Sequence, residues 1–158
     1  MPTRVDQIDI RERMRWRPDG GTYEKVRSLW IDHSKAEDAR SLGGLVATLT
    51  EDCIYELIGL GHRWEGHDGA RRFYTELLGA FPDIDFQLQD VVFGPQGVYE
   101  FANVRARWEQ PWIGIEPDGE IHQWQNAIFF PWDPEAERFA GEKVMGGPGS
   151  PGYGLGVR

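Results

Sequence analysis

Apolar side chains first recur at helical spacing over residues 22–33. Tyr23, Val26, Leu29 and Trp30 share a face there, Thr22 is placed to cap the run, and Asp19-Gly20-Gly21 breaks whatever precedes it. On this reading His33 falls at the end of the first helix. A second stripe, Leu42, Leu45, Val46 and Leu49, predicts a helix over residues 37–49 despite Gly43-Gly44. A third, Ala70, Phe73, Tyr74, Leu77 and Leu78, predicts a helix from a capping Asp68 to Phe81, stopped by Pro82. The pattern then changes period. Cys53 to Leu57 reads as a short strand, and residues 59–61 as a turn into a second around Arg63 and Trp64. Longer strands follow over residues 84–93, 98–109, 120–130 and 139–145. Gly94-Pro95-Gln96-Gly97 and Glu116-Pro117-Asp118-Gly119 mark two hairpins among them. Helices segregated from a meander of strands define an α+β domain.

Composition narrows the picture. With 158 residues, the chain suits one domain. A formal net charge of −9 argues against nucleic acid as a partner, because affinity for a polyanion comes from Lys and Arg. The single cysteine, Cys53, excludes an internal disulfide and a cysteine-based zinc cage; mid-strand, it is expected to be inert filling. No apolar run approaches the length of a membrane span, and the first residues carry no stretch of signal-peptide type, so no membrane association and a cytoplasmic location are expected. Residues 1–17 form a basic arm with five arginines against three acids. Residues 147–158 belong to a Gly/Pro-rich tail expected to be flexible, which leaves residues 18–146 as the domain.

Five segments in order carry a family resemblance: Leu49-Thr50-Glu51-Asp52-Cys53-Ile54-Tyr55; Trp64-Glu65-Gly66-His67-Asp68-Gly69-Ala70-Arg71-Arg72-Phe73-Tyr74; Ala80-Phe81-Pro82-Asp83; Trp112-Ile113-Gly114-Ile115-Glu116-Pro117-Asp118-Gly119; and Phe129-Phe130-Pro131-Trp132-Asp133. Together with the element order, they resemble the SnoaL-like polyketide-cyclase group of the nuclear transport factor two-like (ketosteroid isomerase, scytalone dehydratase) superfamily. The resemblance implies a cone-shaped, curved antiparallel or mixed sheet packed against three N-terminal helices, an apolar interior and a homodimer. It also implies cofactor-independent cyclase, isomerase or dehydratase chemistry, although the fold carries binding proteins as well. Two family features are absent. Trp108 stands where the cyclases carry a histidine, and the last strand, Gly141-Glu142-Lys143-Val144-Met145-Gly146-Gly147, lacks their tyrosine and terminal acid.

Given that fold, alternation sorts the strands. His122, Trp124, Asn126, Ile128 and Phe130 form one face of their strand, expected to be the cone interior. Val98, Glu100, Ala102, Val104, Ala106 and Trp108 form the matching cavity wall. Tyr99, Phe101, Asn103, Arg105 and Arg107 face outward and suit a dimer contact. In such a cavity His122 is the leading candidate for acid/base work, aided by Asp52 or Glu142. Asn126 or Tyr55 is the candidate donor to a developing enolate oxygen. Trp64, Trp108, Trp112 and Trp124 are expected around a flat hydrophobic ligand such as a polyketide or terpenoid, with His33 and His62 beside them. His62 and His67 flank Glu65 without a third ligand at a characteristic spacing, so no metal site is expected. Neither a phosphate loop nor a dinucleotide fingerprint is present, and no cofactor is expected. The alternative is a non-catalytic binding or dimeric adaptor module of the same fold.

Overall fold

The computed structural model describes residues 3–17 and 19–150. A single 3-10 turn (Val5–Gln7) and a four-residue helix, α1 (Ile10–Arg13), precede the domain proper. The domain's elements are α2 (Gly20–Asp38), α3 (Leu42–Val46), β1 (Leu49–Leu57), β2 (His62–Glu65), α4 (Gly66–Ala80), β3 (Asp85–Gly94), β4 (Gly97–Arg107), β5 (Ile121–Asp133) and β6 (Arg138–Met145). The six strands form one sheet in the order β2-β1-β6-β5-β4-β3. Only β1 and β6 run parallel; every other neighbouring pair is antiparallel. The sheet is curved and unclosed, and its inner face packs on the helices, as the resemblance implies.

The first two helices differ from the sequence pattern in a way that matters for the site. Asp19, rather than Thr22, caps α2 by accepting the Thr22 backbone N–H at 2.7 Å. The helix runs past His33 to Asp38, so His33 sits mid-helix and Glu37 belongs to the same element. Buried Val26, Trp30 and His33, followed by Glu37, form one stripe at spacings of four, three and four. The helix expected over residues 37–49 shrinks to the five residues of α3. Arg40 adopts a left-handed φ of 54°, Ser41 accepts the Gly44 N–H at 3.1 Å, and Leu49 already pairs with Phe139 in the sheet. Helix α4 begins at Gly66, with Asp68 in its first turn instead of at the cap, and ends at Ala80, ahead of Pro82.

Gly94 and Gly97 close the β3–β4 hairpin as expected. The second connection is no tight turn: residues 109–119 form a long loop, pinned at its base by the Trp108 N–H to the Glu120 carbonyl at 3.0 Å. Within it, Trp112 and Ile115 bridge to each other. Alternation is correct along both long strands. Val98, Glu100, Ala102, Val104, Ala106 and Trp108 are buried, whereas Tyr99 and Phe101 are exposed. On β5, burial runs through Asn126, Ile128 and Phe130. At the N-terminal end, Val5 of the arm is buried at 2 % exposure, so the arm packs on the domain. Gly147 and Pro148 are buried as well, and Gly147 lies against the Trp124 indole. Residues 151–158 of the tail lie outside the described residues. No helix among the described residues is long and apolar enough to cross a membrane.

Strands β1 and β6 meet at Gly141, where a left-handed φ of 115° and the close approach of the Ile54 carbonyl leave no room for a side chain. An added Cβ would lie 1.9 Å from that oxygen. Gly141→Ala is therefore expected to destabilise the fold by about 3 kcal/mol or more, the scale of backbone strain combined with a forced shift. Gly79 on α4 has open space around its Cβ position. Gly79→Ala should be neutral or stabilise by up to about 1 kcal/mol. Urea unfolding of the two variants beside the wild type checks both.

Candidate active site

Four elements bring the site together. His33 comes from the middle of α2, Thr48 from the turn into β1, Tyr74 from α4 and Glu142 from β6. Pairing of β1 with β6 places Tyr55 opposite Glu142. His33, Tyr55, Tyr74 and Glu142 are all at least 97 % buried. Their hydrogen bonds leave little ambiguity. The Thr48 hydroxyl donates to the Leu45 carbonyl at 2.7 Å, so it receives the His33 Nδ1–H at 2.6 Å. That bond fixes the ring and turns Nε2 toward Glu142 Oε1 at 3.0 Å and Tyr74 Oη at 3.0 Å. Tyr74 donates to Glu142 Oε1 at 2.5 Å, a charge-assisted distance, and Tyr55 Oη lies 3.0 Å from Tyr74 Oη. The 3.0 Å separation of Nε2 and Oε1 is a hydrogen-bond distance that a single proton can bridge.

The surrounding electrostatics are acidic. Burial, and then the Glu142 charge, hold both tyrosines well above their ordinary value, so they remain phenols and donors. Glu37 is half-buried with its carboxyl turned inward. Burial and then Glu142 push it up to about 7, with His33 opposing. Glu100 is pushed up to about 8 by burial first, then by Glu37 and Glu142. Three carboxyl groups thus influence one another on the inner side of the sheet. His33, Glu37 and Glu142 present ligating atoms within 4.8 Å of one another.

A cavity of about 50 Å³ opens in front of this network. Its polar lining comprises Glu37, Tyr74, Asn126 and Glu142, and its aromatic lining includes Phe73, Phe81, Phe86, Trp112 and Trp124. Gly146, Gly147 and Pro148 complete the wall, so the start of the supposed tail is part of the site. Asn126 is 5 % exposed and its Oδ1 has no hydrogen-bond partner among the described residues.

The sequence-predicted residues distribute unevenly around this cavity. Glu142 and Asn126 line it, and Tyr55 supports it from behind Tyr74. His33 is more central than expected, forming the back of the network instead of a ligand-facing position at a helix end. His122 is on the inward-facing stripe but near the strand end, where its Nε2 meets the Asp118 carboxylate at 2.9 Å. That pair is partly exposed and does not line the cavity. Asp52 is exposed and borders an outer-surface groove with Arg4 and Arg138, because β1 turns it away from the helices. Of the four tryptophans, Trp112 and Trp124 line the cavity. Trp64 stacks behind Trp112 at 6.1 Å, and Trp108 packs on Phe81 at 5.7 Å and bonds the Gln110 carbonyl. His62 stacks on Trp64, one layer further out. Cys53 is fully buried, and burial followed by Asp52 pushes its thiol up to about 12, which leaves it unreactive. Glu37, Thr48 and Tyr74 were missed as site residues. For Glu37 the signal was available, four residues after His33 on one helical stripe.

Comparison with known proteins supports this architecture. The sequence profile of the SnoaL-like domain matches residues 30–133, and the chain belongs to that family. No curated protein matches it. A proposed SnoaL-like polyketide cyclase from Jannaschia sp. CCS1 superposes with a TM-score of 0.64 at 18% identity, covering 78% of this chain and 83% of that one. A proposed polyketide cyclase from Xanthomonas campestris pv. campestris gives 0.63 at 17% identity, over 80% and 93%. AclR, a proposed hydroxylase from Streptomyces galilaeus, gives 0.61 at 14% identity, over 77% and 88%. At these identities the likeness establishes the fold alone.

The raised carboxyls make stability depend on pH. A carboxyl that binds its proton more tightly when folded favours the native state at low pH, and that advantage is lost as pH rises from the unfolded value to the folded one. The window is therefore about pH 4.5 to 8 for Glu100. Thermal unfolding should show Tm falling across that window. Glu100→Gln, which keeps the shape and removes the charge, should flatten the fall and raise Tm at pH 8.

Proposed function

We propose that the chain is a cofactor-independent acid/base enzyme of the cyclase, isomerase or dehydratase type, acting in the cytoplasm on a hydrophobic small molecule. The single observation that carries this reading is the buried His33–Glu142 pair, in hydrogen-bond contact at 3.0 Å behind an apolar cavity. Glu142 is the member that faces the ligand, so its carboxylate is the general base for a proton next to a carbonyl. The abstracted proton stays on Glu142 as a carboxylic acid until it is returned to the product, while His33, oriented by Thr48, holds Glu142 in place through Nε2. Tyr74, held as a phenol, keeps Glu142 aimed, and the Asn126 amide is the donor available to a developing enolate oxygen. The assignment moves the base from His122 to Glu142, with His33 as its partner.

The family membership and the relatives described as polyketide cyclases support cyclase or isomerase chemistry of this kind. A volume of about 50 Å³ is well below the roughly 300–1,000 Å³ of ordinary ligand sites, so the Trp124 side chain and the segment from Gly146 to Pro148 must move to admit a polyketide. That small volume favours, as the second reading, a binding module that takes a smaller ligand without turnover. A homodimer through the outer face of β3–β5 is also proposed. Val92, Tyr99 and Phe101 are exposed there, and Tyr99 stacks on Phe129 at 4.5 Å.

Screening polyketide and terpenoid substrates for turnover tests the enzymatic reading. Once an activity is found, Glu142→Gln is expected to lower kcat by about a hundredfold or more, and Tyr74→Phe by a smaller factor, each with Tm recorded to exclude unfolding. His122→Ala should leave kcat within a factor of about two, since its carboxylate partner lies outside the cavity; an equal loss for His122→Ala and Glu142→Gln would return the role to His122. Tyr99→Glu should lower the mass seen by light scattering from dimer to monomer while leaving the fold intact.

A further inference from the structure

The cavity's charge does not balance. Glu37 and Glu142 both line it, and no Lys, Arg or His side chain does. Buried carboxylates are ordinarily paired with a cation or neutralised. Glu142 has its partners in His33 and Tyr74. Glu37 has none: among the described residues its carboxylate makes no hydrogen bond or ion pair; His33, the strongest influence of opposite sign, is engaged by Thr48 and Glu142, and Arg40 spends a guanidinium N–H on the Ile84 carbonyl at 2.9 Å. A second, independent acceptor is also unspent. Asn126 Oδ1, on the facing strand and nineteen-twentieths buried, lacks a donor.

From these three acceptors we propose that the ligand carries a protonated amine on an apolar, aromatic-sized body. The geometry fits one nitrogen. Carboxylate oxygens of Glu37 and Glu142 lie no more than 4.8 Å apart, so a single ammonium about 2.8 Å from each can donate to both at once. Glu37 is its primary counter-ion, because Glu142 is already bonded. The walls suit the rest of the molecule: Phe81, Trp112 and Trp124 line the cavity and match an apolar body. A carboxylate or phosphate ligand meets the opposite situation, two acids and no cation. The proposal deepens the functional reading by naming the substrate class, and rests on it only in taking this cavity as the ligand site.

The test reads binding, not turnover, so the two ideas can fail separately. Intact protein at pH 7.5 is titrated by calorimetry and tryptophan fluorescence with 2-phenylethylamine, 2-phenylethanol and phenylacetate, and separately with Zn²⁺ and Mn²⁺. The amine is expected to bind about tenfold or more tighter than the alcohol, and phenylacetate weakest of the three. Glu37→Gln, at a half-buried position and with Tm recorded, should bring the amine to within about threefold of the alcohol. Asn126→Ala should weaken the amine and leave the alcohol less affected. Equal binding of amine and alcohol, preference for phenylacetate, or binding of none of the three overturns the proposal. So does micromolar metal binding lost in both Glu37→Gln and His33→Ala, which would make the cluster a metal site. Loss of turnover without loss of amine preference, or the reverse, tells the ligand assignment from the catalytic one.

Discussion

A carboxylate held inside a hydrophobic sheet is the constraint on which the rest of this structure depends. Glu142 lies in the middle of β6 at 3 % exposure, where an unpaired charge would cost several kcal/mol. Its direct hydrogen-bond partners come from the helices. Helix α2 supplies His33, α4 supplies Tyr74, and β1 supplies Tyr55 behind it. The three must dock in register for any of these groups to be satisfied. Packing and polar satisfaction therefore point to the same arrangement, which is how a sequence specifies one structure.

The same constraint explains the roles of several plain residues. Gly141 has no side chain because the Ile54 carbonyl occupies that space, and this close approach sets Glu142 opposite Tyr55. Thr48 is buried at the turn into β1 because its hydroxyl joins the Leu45 carbonyl to the imidazole. The aromatic surplus has a division of labour. Trp112 and Trp124 face the cavity, and Trp64 and Trp108 brace the rings beside it. Trp30 and Trp132 pack the helix and the strand end, Trp132 against Phe139.

The proposed chemistry follows from the imbalance that remains. His33 and Glu142 are in hydrogen-bond contact, two phenols stand by as donors, and Glu37 and Glu100 are held with raised affinity for protons. This is a proton-rich cavity floor facing aromatic walls, suited to acid/base work on an apolar molecule and to recognising a donor on it. The absent cyclase histidine at Trp108 matters less on this arrangement, because the histidine of the network comes from another element altogether.

The fold class, the strand meander and the inward faces of β4 and β5 could be read from the sequence because they depend on local period: alternation at two, helical stripes at three and four. Asn126, Glu142 and Tyr55 were recognisable as candidates on the same basis or by family resemblance. Central placement of His33 was not, since the helix was taken to end there. Reading the stripe Val26, Trp30, His33, Glu37 onward would have joined two of the site's residues. His122 and Asp52 show the opposite error. Facing inward along a strand does not place a side chain in the cavity when it sits at the strand's end, and an acid within a strand can turn to the outer surface. Sequence by itself determined which residues share a face. Which faces meet was decided only by the tertiary structure, because contacts between α2, α4 and β6 join residues up to 109 positions apart, and no local rule of period or propensity carries that information.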